Sequence, residues 1–472
     1  MVTLIQTMVL LATGTATPEE VASPPPMAPD SPMAPDSPFS ADPSALEGGA
    51  EPEGPGFTFD SRQTLAMYAG CLILTAAINS IGRKALVYIT EFAAIWHIVG
   101  VIILIIAVPC ICTQHQPASW VFRQYEDDLG RLYGIDNKFY IGILGLLLPA
   151  YSFTGMDGPA HMAEESTNAA LANPRGIMQG VYFMMLFGWL WVISLLFSTS
   201  DRLYILGESD AVPAAGGDPV PQIFWDAFVQ RRGNGFGGMV LLMIPLGGVF
   251  FCSLSTLTYV ARIMFAYSRD KAVPGSALWV KLDSSACPVA AIWGAAIFAF
   301  ILAIPSVWNE LAFTAIISLS TIALNIAYVL PTLARITVGR HRFKPGPWHL
   351  GNWVYPIGTI ATIYMVFIVV VFSLPTEYPV DPNKNLNYAG VTLGATLVVS
   401  LIYYFFPFIG AYAWFKGPVH TYTPSSGSLH GTDTPDNSTH PQHLADPSLG
   451  LDNGKEGHTA AGKQASVVSL HM

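Results

Sequence analysis

Charge is scarce in this sequence. Of its 472 residues only 11% are Asp, Glu, Lys or Arg, whereas 52% are hydrophobic, and the mean hydropathy is +0.45. That balance excludes an ordinary soluble domain and suits a polytopic membrane protein. The net charge of −10 comes largely from the two tails and the outer loops. Basic residues form no patch of the kind nucleic acid requires, so no nucleic-acid partner is expected. Cysteine is also sparse. Cys71, Cys110, Cys112, Cys252 and Cys287 are odd in number and lie mostly within or at the ends of apolar runs. Cys110-Ile111-Cys112 lacks the spacing of a zinc site, and the five read as packing residues rather than disulfides or metal ligands. No nucleophile–base pair, phosphate loop or metal-ligand cluster is present. Enzyme chemistry therefore has no residues to stand on, and no catalytic residue, metal or cofactor is expected.

Long apolar runs are what the chain has in abundance. A transmembrane helix needs about 20 predominantly apolar residues in succession, and nine segments qualify, at approximately 63–82, 85–112, 141–166, 177–199, 238–267, 288–308, 311–335, 353–374 and 388–415. The expected fold class is an all-α polytopic membrane protein with a membrane domain over 63–416. Residues 1–62 form an acidic, Pro/Ala-rich N-terminal region that repeats Met27-Ala28-Pro29-Asp30-Ser31 as Met33-Ala34-Pro35-Asp36-Ser37. Residues 417–472 are rich in Ser, His, Gly and Asp. Neither composition can bury a core, and both read as disordered. Met1 to Ala12 is an apolar start that is too short to span and lacks the basic n-region of a secretory signal.

Lysine and arginine set the expected orientation. With the first full span entering from outside, inner loops carry Arg83, Lys84, Arg175, Arg269, Lys271, Lys281, Arg335, Arg340, Arg342 and Lys344, and Lys416 follows the last span. The outer loops are longer and acidic, so their cations count for less. Residues 1–60 are then outside and the C-terminus is cytosolic, which leaves the sequon Asn437-Ser438-Thr439 unmodified.

The segment Ile141 to Arg175 starts as an apolar helix and breaks at Ser152-Phe153-Thr154-Gly155-Met156-Asp157-Gly158-Pro159 before resuming. Lipid offers no water to free backbone groups, so unwound chain at bilayer depth survives only inside protein or beside a cavity. Broken helices of this kind form substrate sites in secondary transporters. Gly155 and Gly158 permit unusual backbone conformations, Pro159 suits the first position of a new helix, and Asp157 is placed to cap it. The carbonyls of Phe153, Thr154 and Gly155 can face an ammonium group, with Phe153 as an aromatic wall. The plainer alternative is a structural kink, which Pro149 alone can cause.

An ionisable residue inside a span is a functional candidate. Asp157 can approach a cationic amine, carry a coupling proton, or simply cap a helix. His161 and Glu165 follow at four-residue steps, on one helical face if the helix continues. That face can be a proton relay or, more ordinarily, a salt-bridged helix end. His97 lies near the centre of the second span, where a hydrogen-bonded packing role competes with titration, and Glu91 can pair with Arg83 or Lys84. The fifth span carries Ser253, Ser255, Thr256, Thr258 and Tyr259 and the seventh Ser318, Ser320, Thr321 and Asn325; small hydroxyl residues suit close helix packing, the commoner role, or sodium coordination.

Phe153-Thr154-Gly155-Met156-Asp157, Ala160-His161-Met162-Ala163-Glu164-Glu165, Asn173-Pro174-Arg175-Gly176 and Ala261-Arg262-Ile263-Met264-Phe265-Ala266-Tyr267-Ser268-Arg269-Asp270 together resemble the amino acid–polyamine–organocation (APC) permeases, closest to the fungal GABA/choline/amino-acid branch. The resemblance covers roughly 63–416. It implies two inverted five-helix repeats plus two extra helices, with substrate held at the unwound first and sixth helices. By motif, 141–166 is the sixth helix, 238–267 the eighth, and 63–82 and 85–112 the fourth and fifth. Leu4 to Gly14 resembles only the end of a third helix, and the Gly-rich break of the first helix has no counterpart. A truncated gene model, a shortened isoform or a partner supplying the missing helices each account for that, and the first is the reading taken.

The resemblance thus implies secondary active transport of amino acids or related amines such as GABA or choline, in the plasma or vacuolar membrane, coupled to H+ or to Na+. Substrate binding falls on Phe153, Thr154, Gly155 and Met156, and coupling on Asp157 and His161. The rival reading is a non-transporting membrane sensor or regulatory protein that keeps the fold.

Overall fold

The structure is a computed structural model that describes residues 1–14, 59–123, 133–135, 137–199, 218–273, 275–283, 285, 287–341, 343–381, 386–406 and 410–415. The two regions expected to be disordered fall, apart from Met1–Gly14, Phe59–Asp60 and the first residues of the next helix, outside these residues, as does the sequon at Asn437. All regular structure among the described residues is helical, as an all-α polytopic membrane protein requires. The helices that matter below are α1 (Val2–Gly14), α2 (Ser61–Ser80), α3 (Arg83–Ile111), α4 (Lys138–Leu144), α5 (Leu147–Ser152), α6 (Gly158–His161), α7 (Ala169–Ser198), α8 (Pro219–Arg232), α9 (Phe236–Arg269), α10 (Val289–Ala303), α11 (Glu310–Ile336), α12 (Val354–Val371) and α13 (Ala389–Phe405).

Six of these stretches are long and apolar enough to cross a membrane: Arg83–Ile111, Ala169–Ser198, Phe236–Arg269, Val289–Val307, Phe313–Ile336 and Gly351–Val371. The other three expected spans differ in kind. Ser61–Ser80 has the length but a more polar composition, Ala389–Phe405 is shorter, and the broken segment is divided into turns. Large apolar side chains such as Val87, Phe92, Ile95, Ile106, Trp189 and Ile363 are exposed around the bundle. A water-facing surface of that kind would aggregate; facing lipid it is the natural solvent contact.

The long helix α9 is the hub, packed by α8, α10, α3, α2 and α1. Its contact with α2 and α10 is built from small residues, with Ala76, Ala261, Ala291, Ala295 and Ala296 buried around Leu257 and Ile292. Hydrocarbon supplies no hydrophobic drive between helices, so close backbone approach and dispersion hold such a seam. One buried polar clamp fixes its register. The Asn79 amide donates to the carbonyls of Thr75 and Leu254 at 2.9 and 3.2 Å, and its oxygen accepts from the Thr258 hydroxyl. Thr258 is thereby engaged in packing α2 to α9. A second cluster joins Leu104 and Val108 of α3 to Ile223, Phe224 and Leu242 of α8 and α9. α7 packs along α3, while α11 packs on α12 and α13.

Two cysteines lie buried at these seams, Cys112 against the Ser198 carbonyl at 3.6 Å and Cys287 against the Asn79 carbonyl at 3.5 Å. His97 sits with both ring nitrogens against carbonyls, Ala93 at 2.6 Å and Gly248 at 3.2 Å, beside the Phe251 ring. It is a hydrogen-bonded bridge from α3 to α9. Glu91 is exposed and makes no ion pair among the described residues, so the expected pairing with Arg83 or Lys84 does not form.

Candidate functional site

The broken segment is more fragmented than its sequence suggests. α4 and α5 carry the apolar first half, and five residues of successive turns, Phe153–Asp157, then interrupt the helix. The helix does not resume as a long second half. α6 is a single turn, followed by a 3-10 turn at Ala163–Glu165, and α7 begins at Ala169 rather than near 177. Met162 leaves the helical region at φ −98°, and Asn168 adopts a left-handed conformation at φ 54°, which together stop propagation.

Local sequence explains the break. Gly155 sits at φ +87°, in the left-handed region that a side chain disfavours. Gly158 is buried for a different reason: a Cβ there would lie 2.6 Å from Cε2 of Tyr259, so the bare backbone admits that ring from α9. The turns satisfy part of the backbone, since Met156 N–H donates to the Phe153 carbonyl at 3.4 Å and Gly158 N–H to the Gly155 carbonyl at 3.2 Å. Among the described residues no donor reaches the Thr154 carbonyl. It and the Met156 carbonyl, which likewise receives no donor among the described residues, are the backbone acceptors of Phe153–Asp157 left for a ligand.

One side chain from far along the chain ties this stretch down. The Tyr328 hydroxyl on α11 donates to Asp157 Oδ1 at 2.8 Å and accepts the Gly155 N–H at 3.3 Å. A single hydroxyl therefore holds both the amide and the carboxylate of the break. Its other carboxylate oxygen, Asp157 Oδ2, lies 3.0 Å from His161 Nε2. Asp157 occupies the N-cap position of α6, yet its side chain makes no capping bond. The capping expectation is corrected: the carboxylate turns to Tyr328 and His161 instead.

The expected face of Asp157, His161 and Glu165 is corrected as well. Asp157 and His161 meet across one helical turn, but the helix ends at His161 and cannot carry the row to Glu165. The neighbour Glu164 forms the ion pair here, accepting from Arg269 at the end of α9 at 2.8 and 2.9 Å. Glu164 lies on the polar turn between apolar helices, and the hydrogen bonds from Arg269 hold its carboxyl below the usual carboxylate range. Two parallel bonds are the geometry a guanidinium makes best.

Phe153, Thr154, Gly155 and Met156 thus stand together on one unwound stretch, half-buried except for the exposed Gly155, with Asp157 and His161 adjoining. Tyr328 is the residue that sequence reasoning missed, while Tyr259 figures there only among the polar side chains of its span and not as a neighbour of the break. Both sit inside long apolar helices, where a tyrosine carries little local signal, although a buried phenol regularly seeks a polar partner. Ser253, Thr256 and Thr321 spend their hydroxyls on carbonyls four residues earlier in their own helices, at 2.9, 2.9 and 3.4 Å. Asn325 does the same toward the Thr321 carbonyl at 2.9 Å. Among the described residues no group of His, Cys, Asp and Glu is arranged to hold a metal ion.

Comparison with known proteins gives a consistent picture. Residues 2–411 match the sequence model of the amino acid permease family. The chain is 36% identical over 366 residues to an amino-acid permease of Arabidopsis thaliana, covering 78% of this chain and 69% of the relative. A rice homologue of that permease, from Oryza sativa subsp. japonica, is 37% identical over 356 residues, covering 75% and 66%. Amino-acid permease 2 of Neurospora crassa is 30% identical over 296 residues, covering 62% and 50%. The chain spans between half and about two thirds of the length of these curated relatives.

Proposed function

Because the chain belongs to the amino acid permease family, a family of integral membrane transporters rather than enzymes, we propose that it carries out secondary active transport of amino acids or related amines such as GABA or choline. The observation that carries this reading is the unwound stretch Phe153–Asp157, whose Thr154 carbonyl is left open while Tyr328 holds the flanking amide and carboxylate in place. Broken helices place backbone polar groups where a small zwitterion can use them without carrying water along. Phe153, Thr154, Gly155 and Met156 bind substrate in this proposal.

Coupling falls on Asp157 and His161. Their 3.0 Å contact lets one proton sit between a carboxylate and an imidazole, and the Tyr328 hydroxyl can donate to the carboxylate only while that oxygen is an acceptor. Proton coupling is the reading adopted, with sodium as the alternative ion. The membrane is the plasma or vacuolar membrane, with the C-terminus in the cytosol. Uptake of labelled GABA, choline and individual amino acids by vesicles containing the purified full chain tests the proposal. Uptake of at least one, driven by a pH gradient and dissipated by a protonophore, supports it. Inserted protein that takes up none of them refutes it and favours a sensor.

A further inference from the structure

Between Glu310 and Glu377 the sequence contains no acidic residue, yet it carries Arg335, Arg340, Arg342 and Lys344 in ten positions. The span before this cluster runs Phe313–Ile336 and the next runs Gly351–Val371, so the connecting loop lies at a membrane surface by construction. The loop folds back on the end of α11. Thr337 N–H donates to the Leu333 carbonyl at 3.0 Å, Gly339 N–H to the Ala334 carbonyl at 2.7 Å, and Phe343 N–H to the Gly339 carbonyl at 3.0 Å. That path lays the Phe343 ring over Arg335, whose guanidinium carbon lies 4.3 Å from the ring centroid and 5.9 Å from that of Tyr355. Arg340 lies 4.9 Å from the same Tyr355 ring.

The aromatic faces hold these guanidinium groups in place without neutralising them. Arg335 is partly buried, and its Nη1 has no hydrogen-bond partner among the described residues. None of Arg335, Arg340 and Lys344 forms an ion pair there. Arg269, at the end of α9, is different: it takes Glu164. Beside the uncompensated cations stand exposed Phe343 and Trp353, the latter 70% exposed, side chains suited to the headgroup layer. Positive charge fixed by aromatics, with apolar rings at the same depth, matches a membrane whose headgroups carry phosphate and net negative charge.

We propose that the loop between α11 and α12 is a binding site for an anionic phospholipid headgroup, with Arg340 and Lys344 contacting the phosphate and Arg335, gripped by Phe343 and Tyr355, supplying a fixed positive field. The lipid provides the counter-charge that this stretch of protein omits. The site is independent of whether the chain transports anything.

The test uses the purified full chain in detergent, titrated by thermophoresis with dioctanoyl phosphatidylserine, dioctanoyl phosphatidylcholine and inorganic phosphate. The expected result is binding of phosphatidylserine at least tenfold tighter than of phosphatidylcholine, and no competition from inorganic phosphate at equal concentration. Arg340→Gln with Lys344→Gln removes two basic residues at the surface and weakens phosphatidylserine binding about thirtyfold, with an unchanged thermal midpoint. Lys84→Gln with Lys281→Gln removes the same charge elsewhere and leaves binding intact. Equal affinity for the two lipids, equal loss from both double variants, or displacement by inorganic phosphate each overturns the proposal.

Discussion

Removing one oxygen atom, by Tyr328→Phe, releases the unwound stretch from α11. The hydroxyl makes a 2.8 Å bond to a carboxylate and a 3.3 Å bond from the Gly155 amide. A hydrogen bond to a charged group contributes about 1.5–3 kcal/mol and a neutral one about 1 kcal/mol. Gly155 is exposed, so water replaces part of the second bond. The net loss is then about 2 kcal/mol, which is roughly a thirtyfold rise in the population of the released break. Phenylalanine keeps the ring and its packing, so the helix itself should stay. Hydrogen–deuterium exchange on the full chain in lipid nanodiscs reads the effect directly: peptides covering Phe153–Asp157 exchange about thirtyfold faster, while peptides from the middle of α9 are unchanged. Asp157→Asn separates the two bonds, because an amide oxygen still accepts from Tyr328 and exchange rises by less than in Tyr328→Phe. Unchanged exchange at Gly155 in Tyr328→Phe would refute the tether.

Gly158→Ala places a methyl group 2.6 Å from the Tyr259 ring and is expected to lower stability by about 1–3 kcal/mol; Tyr259→Leu in the same chain should recover most of the loss in a thermal melt, and a Gly158→Ala variant that melts like the parent contradicts the contact. Glu164 is held below its ordinary range by Arg269, so its contribution is present above that range and is lost as the pH falls through the depressed value. The carboxylate is 63% exposed, so the effect stays within a fraction of a kcal/mol, and Glu164→Gln should flatten the acid limb of the melting profile only slightly. Asn437 should carry no glycan when the chain is expressed in a eukaryotic cell, and a mass shift removed by a glycosidase would reverse the proposed orientation.

The helical spans were legible because their signal is composition over about 20 residues, and the structure places α3, α7, α9, α11 and α12 where the apolar runs are. The break was legible too, since Gly155, Gly158 and Pro159 punctuate it within five residues. What surrounds the break was not. Tyr328 reaches Asp157 across 171 positions of sequence, and nothing in Ala327-Tyr328-Val329 marks it. Asp157 looked like a cap because position and residue type both fit, but capping competes with any stronger donor nearby, and a phenol on another helix won. The row from Asp157 to Glu165 failed for a related reason: four-residue spacing puts side chains on one face only while a helix persists, and this one ends after a single turn. Local chemistry is written in neighbouring residues, whereas a contact between α11 and the break depends on how whole helices are docked.

Thiol accessibility at Thr154 tests the central claim most directly. With Cys71, Cys110, Cys112, Cys252 and Cys287 replaced by Ala or Ser, Thr154→Cys is treated with a membrane-impermeant thiol reagent in vesicles, with and without saturating substrate drawn from the uptake panel. A site at the break predicts modification by the reagent and protection by the same compounds that are transported. A thiol that reacts equally in the presence of a transported compound, or that is reached only by lipid-soluble reagents, contradicts it.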